Sequence, residues 1–245
     1  MSSRKNSSLD LYDYKSHISR LLSKHEPEQV FSLLVQDIMA YYNRPVHTLT
    51  ELKKRDLKQS VGRTWELFCK DWLIAQKNSK GEPLFSAVYD VIEKRGELGL
   101  DKQDIGIDLI AEATSGTQPV YHAIQCKWRK KGQVTWIQLS TFLALCSRTG
   151  PWVCQRVMTN STGVNWKKMK GSKDRCTARG TFASTDRLTW MTIAGVQSEG
   201  YLLGSSTTIT VAEASSSNAV DVDIEQTRVD TMREARLKRF GSNTV

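Results

Sequence analysis

The chain lacks a disulfide or zinc framework. Its five cysteines, Cys69, Cys126, Cys146, Cys154 and Cys176, are odd in number and none pair as CxxC. That usage points to a reducing intracellular compartment, cytoplasmic or nuclear. Membrane character is also missing, because no apolar run approaches the ~20 residues that a spanning helix needs. The opening "MSSRKNSSLDLYDYKS" has no apolar h-region, which argues against a secretory signal, and Asp10 and Asp13 argue against a mitochondrial presequence. No internal repeat is visible. The most local shortage is of acid: residues 127–180 hold twelve Lys and Arg against a single carboxylate, Asp174.

What is present fits a globular protein. At 245 residues and 39% hydrophobic composition, the chain can bury a real core in one domain of generous size, or in one domain with appendages. The net charge of +9 is unevenly placed. Residues 61–126 carry seven bases and ten acids, and the strongly basic block follows at once. Acids that hold cations beside bases that hold phosphates suit an enzyme acting on a polyanion. A solvated basic face accounts for the charge alone equally well.

Hydrophobic periodicity divides the chain. Residues 1–55 read as a helical N-terminal region. In "HEPEQVFSLLVQDIMAYY", Val30, Phe31, Leu34, Ile38 and Tyr41 recur at helical spacing behind Pro27. A second helix is expected from about Leu49 to Ile74, with Leu57, Val61, Trp65, Phe68 and Trp72 as its stripe. The pattern then changes. "LFSAVYDVIEK" is β-like, "IDLIAE" is a short strand, and "VYHAIQCKW" is a strand apolar on both faces. "VTWIQLSTFLALCSR" reads as an amphipathic helix, "WVCQRVM" as a buried strand and "RLTWMTI" as a last strand. Residues 56–195 therefore predict an α/β core, residues 196–224 a flexible Ser/Thr-rich connector, and residues 225–245 a short basic helix.

One stretch, "DKQDIGIDLIAEATSGTQPVYHAIQCKWRKK", concentrates the chemistry. Strand alternation points Gln125 and Lys127 the same way and Cys126 into the core. If the two strands form a hairpin, Asp108 lies near Gln125 and Lys127 at one end of the sheet. Gly106 is expected to let the backbone approach a ligand. A carboxylate, an amide oxygen and a backbone carbonyl suffice to hold Mg²⁺, which keeps several waters.

These residues resemble the PD-(D/E)XK nuclease superfamily, and within it the Mrr-like branch of restriction endonucleases and junction resolvases. The matching residues are "DIGIDLIA" (104–111) and "IQCK" (124–127), with Gln125 where the superfamily name has an acid. "VMTNS" (157–161) resembles the segment after the family's next strand. The resemblance covers roughly residues 60–195. It implies a restriction-endonuclease-like α/β core, a mixed central sheet flanked by helices, after the helical region. It also implies a metal-dependent DNA endonuclease using Mg²⁺ or Mn²⁺, and leaves room for a homodimer. Asp108, Gln125, the Cys126 carbonyl and a helical Glu66 would hold the metal, and Lys127 would act on the water or the phosphate. Arg129, Lys130, Lys131, Lys167, Lys168, Lys170, Lys173 and Arg175 would bind the nucleic-acid backbone. The rival reading is a nuclease-fold DNA-binding or scaffold protein without turnover.

Each of these residues also has a plainer role. Lys127 can be a strand-end lysine reaching solvent, and Glu66 a solvated helix-edge glutamate. Asp101 and Asp104 read as loop or cap residues, and His122 as packed. Trp65, Trp72, Trp136 and Trp152 read as core. Trp128 and Trp166 either stack on bases or are partly buried.

Overall fold

The computed structural model describes residues 10–45, 57–101, 106–115, 118–165 and 175–196. The expected connector and C-terminal helix, from residue 197 on, lie outside the described residues, as do Trp166, Asp104 and the start of the second expected helix.

Among the described residues three helices come first: α1 (Tyr14–Leu22), α2 (Pro27–Asn43) and α3 (Leu57–Ala75). Asp13 caps α1 by accepting from the Ser16 N–H at 3.2 Å, and Pro27 opens α2, where a missing N–H costs nothing. Along α3 the residues Trp65, Phe68, Cys69, Trp72 and Leu73 are buried, a stripe of period 3.6 that needs an apolar partner. That partner is shared. Tyr14 and Ile18 of α1 and Val30, Phe31, Leu34 and Ile38 of α2 enter the same core as α3 and one face of the sheet. Tyr14 also donates to Asp71 at 2.5 Å, and Lys15 pairs with Asp71 at 2.7 Å.

The five-stranded sheet has the order β1-β2-β3-β5-β7. Its strands are β1 (Ala87–Asp90), β2 (Leu109–Ser115), β3 (Gln118–Lys127), β5 (Trp152–Thr159) and β7 (Cys176–Thr177). The pairs β1–β2 and β2–β3 are antiparallel, while β3–β5 and β5–β7 are parallel, so the sheet is mixed. The antiparallel β2–β3 pair is the hairpin expected from the sequence. Alternation divides its residues between two cores. Leu109, Ala111, Ile124, Cys126 and Met158 face the three helices, while Ile110, Ala123 and Val157 join Val134, Leu139, Phe142 and Leu145. The second core is closed by β4 (Val134–Thr135), β6 (Val164–Asn165) and helix α5 (Ser140–Arg148).

Three segments depart from the sequence reading. "RLTWMTI" is not a strand but helix α7 (Arg187–Ala194), which follows the short α6 (Arg179–Ala183). Asp186 caps it by accepting from the Thr189 N–H at 2.8 Å, and Gly195 ends it with φ of 71°. Those two caps outweigh the β-like composition between them. "LFSAVYDVIEK" yields only the four residues of β1 before Asp90 and Glu93 form a capping box that starts helix α4 (Val91–Lys94). "VTWIQLSTFLALCSR" is not helical throughout. It opens with β4 and a 3₁₀ turn, Trp136–Leu139, before α5 begins. The turn sends Leu139 inward and leaves Trp136 41% exposed, so Trp136 is not core.

Two expectations follow from this packing. Burial of a side chain such as Phe31 is worth about 1.5–3 kcal/mol, and domains are typically stable by ~5–15 kcal/mol. A chain lacking residues 1–49 therefore forfeits enough burial to lose cooperative thermal melting, which calorimetry checks. His122 is half-buried against the Phe85 ring at 5.2 Å, and burial, with the Arg156 charge adding, pulls its pKa down to about 4. The unfolded chain takes up this proton near pH 6.5 and the folded chain only near 4. Stability is thus full above 6.5 and declines as pH falls to 4. The drop in melting temperature between pH 7 and 4.5 is expected to be smaller in His122→Gln than in the unsubstituted protein.

Candidate active site

The end of the β2–β3 hairpin gathers the residues expected from the sequence. Asp108, just before β2, donates its N–H to the Ile124 carbonyl at 2.9 Å and accepts the Val91 N–H on its carbonyl at 3.1 Å. Its Oδ2 accepts the Cys126 N–H at 2.6 Å. That bond fixes the carboxylate against the segment that carries Gln125 and Lys127. The β3–β5 register places Lys127 opposite Thr159, so the C-terminal ends of both parallel strands meet here. Beyond them, Asn160 clamps the chain after β3: its Oδ1 accepts the Arg129 N–H at 2.7 Å and its Nδ2 donates to the Arg129 carbonyl at 2.9 Å.

The electrostatics of Asp108 are unusual. Burial pushes its carboxyl from an ordinary 3.8 up to about 7; the Cys126 N–H opposes this, Glu66 reinforces it, and Lys127 counters it more weakly. Glu66, on α3, is therefore close enough for its charge to act on Asp108. Gln125 is 4% exposed, and among the described residues its Oε1 has no hydrogen-bond partner. A buried acceptor left unpaired is costly, so this oxygen is disposed toward a cation or donor. Among the described residues no group of three His, Cys, Asp or Glu side chains forms a metal cage. A buried carboxylate beside an unpaired amide oxygen nevertheless fits Mg²⁺, which is often held by one or two carboxylates, waters and substrate phosphate.

Other expected residues fall into place around this set. The Cys126 thiol faces the core, hydrogen-bonded to Cys69, and burial raises its pKa well above the ordinary thiol range. Trp128 is half-buried and packs edge-on against Trp65 at 5.6 Å, which is the partial-burial alternative rather than an open stacking platform. Arg129 is half-buried, while Lys130, Lys131 and Arg175 are exposed; Lys167, Lys168, Lys170 and Lys173 lie outside the described residues. Gly106 also meets a second constraint: with φ of 131°, it packs where an added Cβ would lie 3.1 Å from the Phe142 backbone, at the close approach of α5.

Two residues that sequence reasoning missed surround Glu66. Arg63 Nη1 donates to Glu66 Oε2 at 3.1 Å and to Asp90 Oδ1 at 2.7 Å, while Nη2 donates to Asp90 Oδ2 at 3.1 Å. The i, i+3 spacing of Arg63 and Glu66 was a readable signal. Asp90 gave none, because its part depends on α3 packing beside β1.

A family model described as restriction endonuclease matches residues 76–199, half of the chain. The chain belongs to the restriction endonuclease family. The match spans the sheet from β1 and includes Asp108, Gln125 and Lys127, and the mixed sheet flanked by helices is the architecture that the Mrr-like resemblance implied. Glu66 and Arg63 precede the matched span of this restriction-endonuclease domain. No curated protein and no solved structure matches the chain. Among the described residues no helix is long and apolar enough to cross a membrane.

The raised pKa of Asp108 has a consequence for the metal-free protein. The folded state holds this proton up to about 7 and the unfolded state only to 3.8, so ionisation costs stability progressively from pH 4 to 7 and fully above 7. Asp108→Asn is expected to raise the metal-free melting temperature by at least about 3 °C at pH 8, and by less at pH 5. Differential scanning calorimetry in EDTA reads both.

Proposed function

We propose that this restriction-endonuclease domain is a metal-dependent DNA endonuclease that hydrolyses phosphodiester bonds, with its site at the Asp108 end of the hairpin. The observation that carries the reading is the buried, proton-retaining Asp108 carboxylate beside the unpartnered Gln125 oxygen, with Lys127 in electrostatic reach. Asp108, Gln125 and the Cys126 carbonyl would hold Mg²⁺ or Mn²⁺, with Glu66 assisting. When bound, the metal would lower the pKa of a bound water and neutralise charge on the scissile phosphate.

The chain's own groups do the rest. Cys126 N–H orients Asp108, leaving its second oxygen free of that bond. The Lys127 ammonium orients the attacking water or stabilises the charge that develops on the phosphoryl oxygens. Arg129, Lys130 and Lys131 follow at once and would contact backbone phosphates on either side, positioning the duplex without reading its bases. The Asn160 clamp holds the start of that basic segment in register with Lys127.

The test is cleavage of plasmid DNA with and without Mg²⁺. Asp108→Ala is expected to abolish metal-dependent cleavage while DNA binding stays intact or strengthens, since a negative charge facing phosphate is gone. Lys127→Ala is expected to lower cleavage by ~100-fold or more with metal binding retained, because an ammonium is no ligand. Gln125→Glu adds an acid beside the metal position and is expected to be tolerated. Wild-type cleavage by Lys127→Ala rules out the role given to it. DNA binding without cleavage under any divalent metal would make the chain a binding protein on a nuclease fold.

A further inference from the structure

We propose that Arg63 is a positioning residue that fixes the Glu66 carboxylate beside Asp108, and that Asp90 is the anchor that fixes Arg63. This rests on the metal-dependent reading above.

The geometry departs from that of an ordinary surface pair. A lone i, i+3 ion pair on a helix contributes little. Here the guanidinium is gripped from the sheet side by both oxygens of Asp90, at 2.7 and 3.1 Å. This fork-to-fork contact fixes the plane of the guanidinium as well as its position. Asp90 is itself held at the end of β1, where its N–H donates to Glu93 Oε2 at 2.7 Å. Lys70 adds a second cation on Asp90 Oδ2 at 3.3 Å. The hydrogen bonds from Arg63, helped by its charge, hold the Asp90 carboxyl below its ordinary range.

From that anchored position Nη1 reaches Glu66 Oε2 at 3.1 Å. Lys70 lies four residues beyond Glu66, a spacing that permits pairing, yet its ammonium goes to Asp90 and Glu93 instead. Among the described residues, Arg63 is thus the cation paired with Glu66. Glu66 has three rotatable side-chain bonds and stands next to a carboxylate that repels it. Untethered, it would swing toward solvent. The Asp90–Arg63 relay holds it in place and leaves its second oxygen for the site. Arg63 acts through Glu66 and is not assigned a contact with the reacting atoms.

The test measures Mn²⁺ affinity of the full chain by titration calorimetry, alongside cleavage rates. Arg63→Ala is expected to weaken Mn²⁺ binding by about 10-fold or more, the usual consequence of removing a residue that orients a ligand, with cleavage falling in step. Asp90→Asn should shift affinity in the same direction, and Arg63→Lys should recover only part of it, since an ammonium cannot span both carboxylates in one plane. The decisive arm is the cycle with Glu66→Gln. If Arg63 works through Glu66, the Arg63→Ala/Glu66→Gln pair binds no more weakly than Glu66→Gln alone. Additive losses, or unchanged affinity in a folded Arg63→Ala, overturn the proposal. Should Arg63→Ala not fold, Arg63→Lys and Asp90→Asn decide by the same comparison. Asp108→Ala separates the two levels. Loss of Mn²⁺ binding there with none in the Arg63 and Asp90 variants sinks only the positioning role. Undiminished binding in Asp108→Ala removes the metal reading and this proposal with it.

Discussion

Much of this structure depends on where the Trp65 ring goes. It is 1% exposed and lies at the junction of four elements. It stacks on Phe68 at 5.2 Å, meets Phe182 of α6 at 5.4 Å and Phe31 of α2 at 6.3 Å, and takes the edge of Trp128 at 5.6 Å. Its Nε1–H donates to the Met158 carbonyl on β5 at 3.3 Å. The apolar body settles α3 against the helices, and the polar edge pins α3 to a chosen strand. Glu66 is the next residue. The aromatic packing that stabilises the fold therefore also sets the height of the acidic edge above the sheet, and the Cys126–Asp108 bond sets the other side.

The site is a balance of charges kept close but not fully matched. Arg63 and Lys70 are consumed by Asp90, Glu93 and Glu66. Lys127 offsets Asp108 less than burial and Glu66 disfavour its charge. The result is an acid that holds its proton up to about pH 7. Basic residues gather on the chain leaving β3, where the sheet ends. This division of labour corresponds to the switch in the sequence from an acid-rich block to one with a single acid.

The core of the candidate site was legible as a cluster because its residues are close in sequence and their strands alternate. Asp108 and the segment Gln125–Lys127 belong to one hairpin, and a hairpin is a local object whose register follows from its apolar residues. Glu66 was legible from its place at the edge of a periodic stripe. What was not legible came from contacts between distant elements or from ends. Asp90 reaches Arg63 only once β1 lies beside α3. The apolar middle of α7 reads as a strand, whereas its caps, Asp186 and Gly195, decide it. Trp136 was placed in the core by counting helical turns through what is a strand and a 3₁₀ turn. The close approach of α5 to Gly106 was likewise invisible in the sequence.

The contact between α1 and α7 has a consequence for synthesis. Arg187 at the start of α7 donates to the carbonyl of Leu22, the last residue of α1, at 3.0 Å across 165 residues of chain. At ribosomal speeds that interval is roughly ten to thirty seconds. Through it the face of α1 that meets α7 exists without its partner helix. The nascent chain must shield that face by other means, by transient collapse or by a chaperone, until α7 emerges. The wait is a cost of closing a core with its first and last described helices.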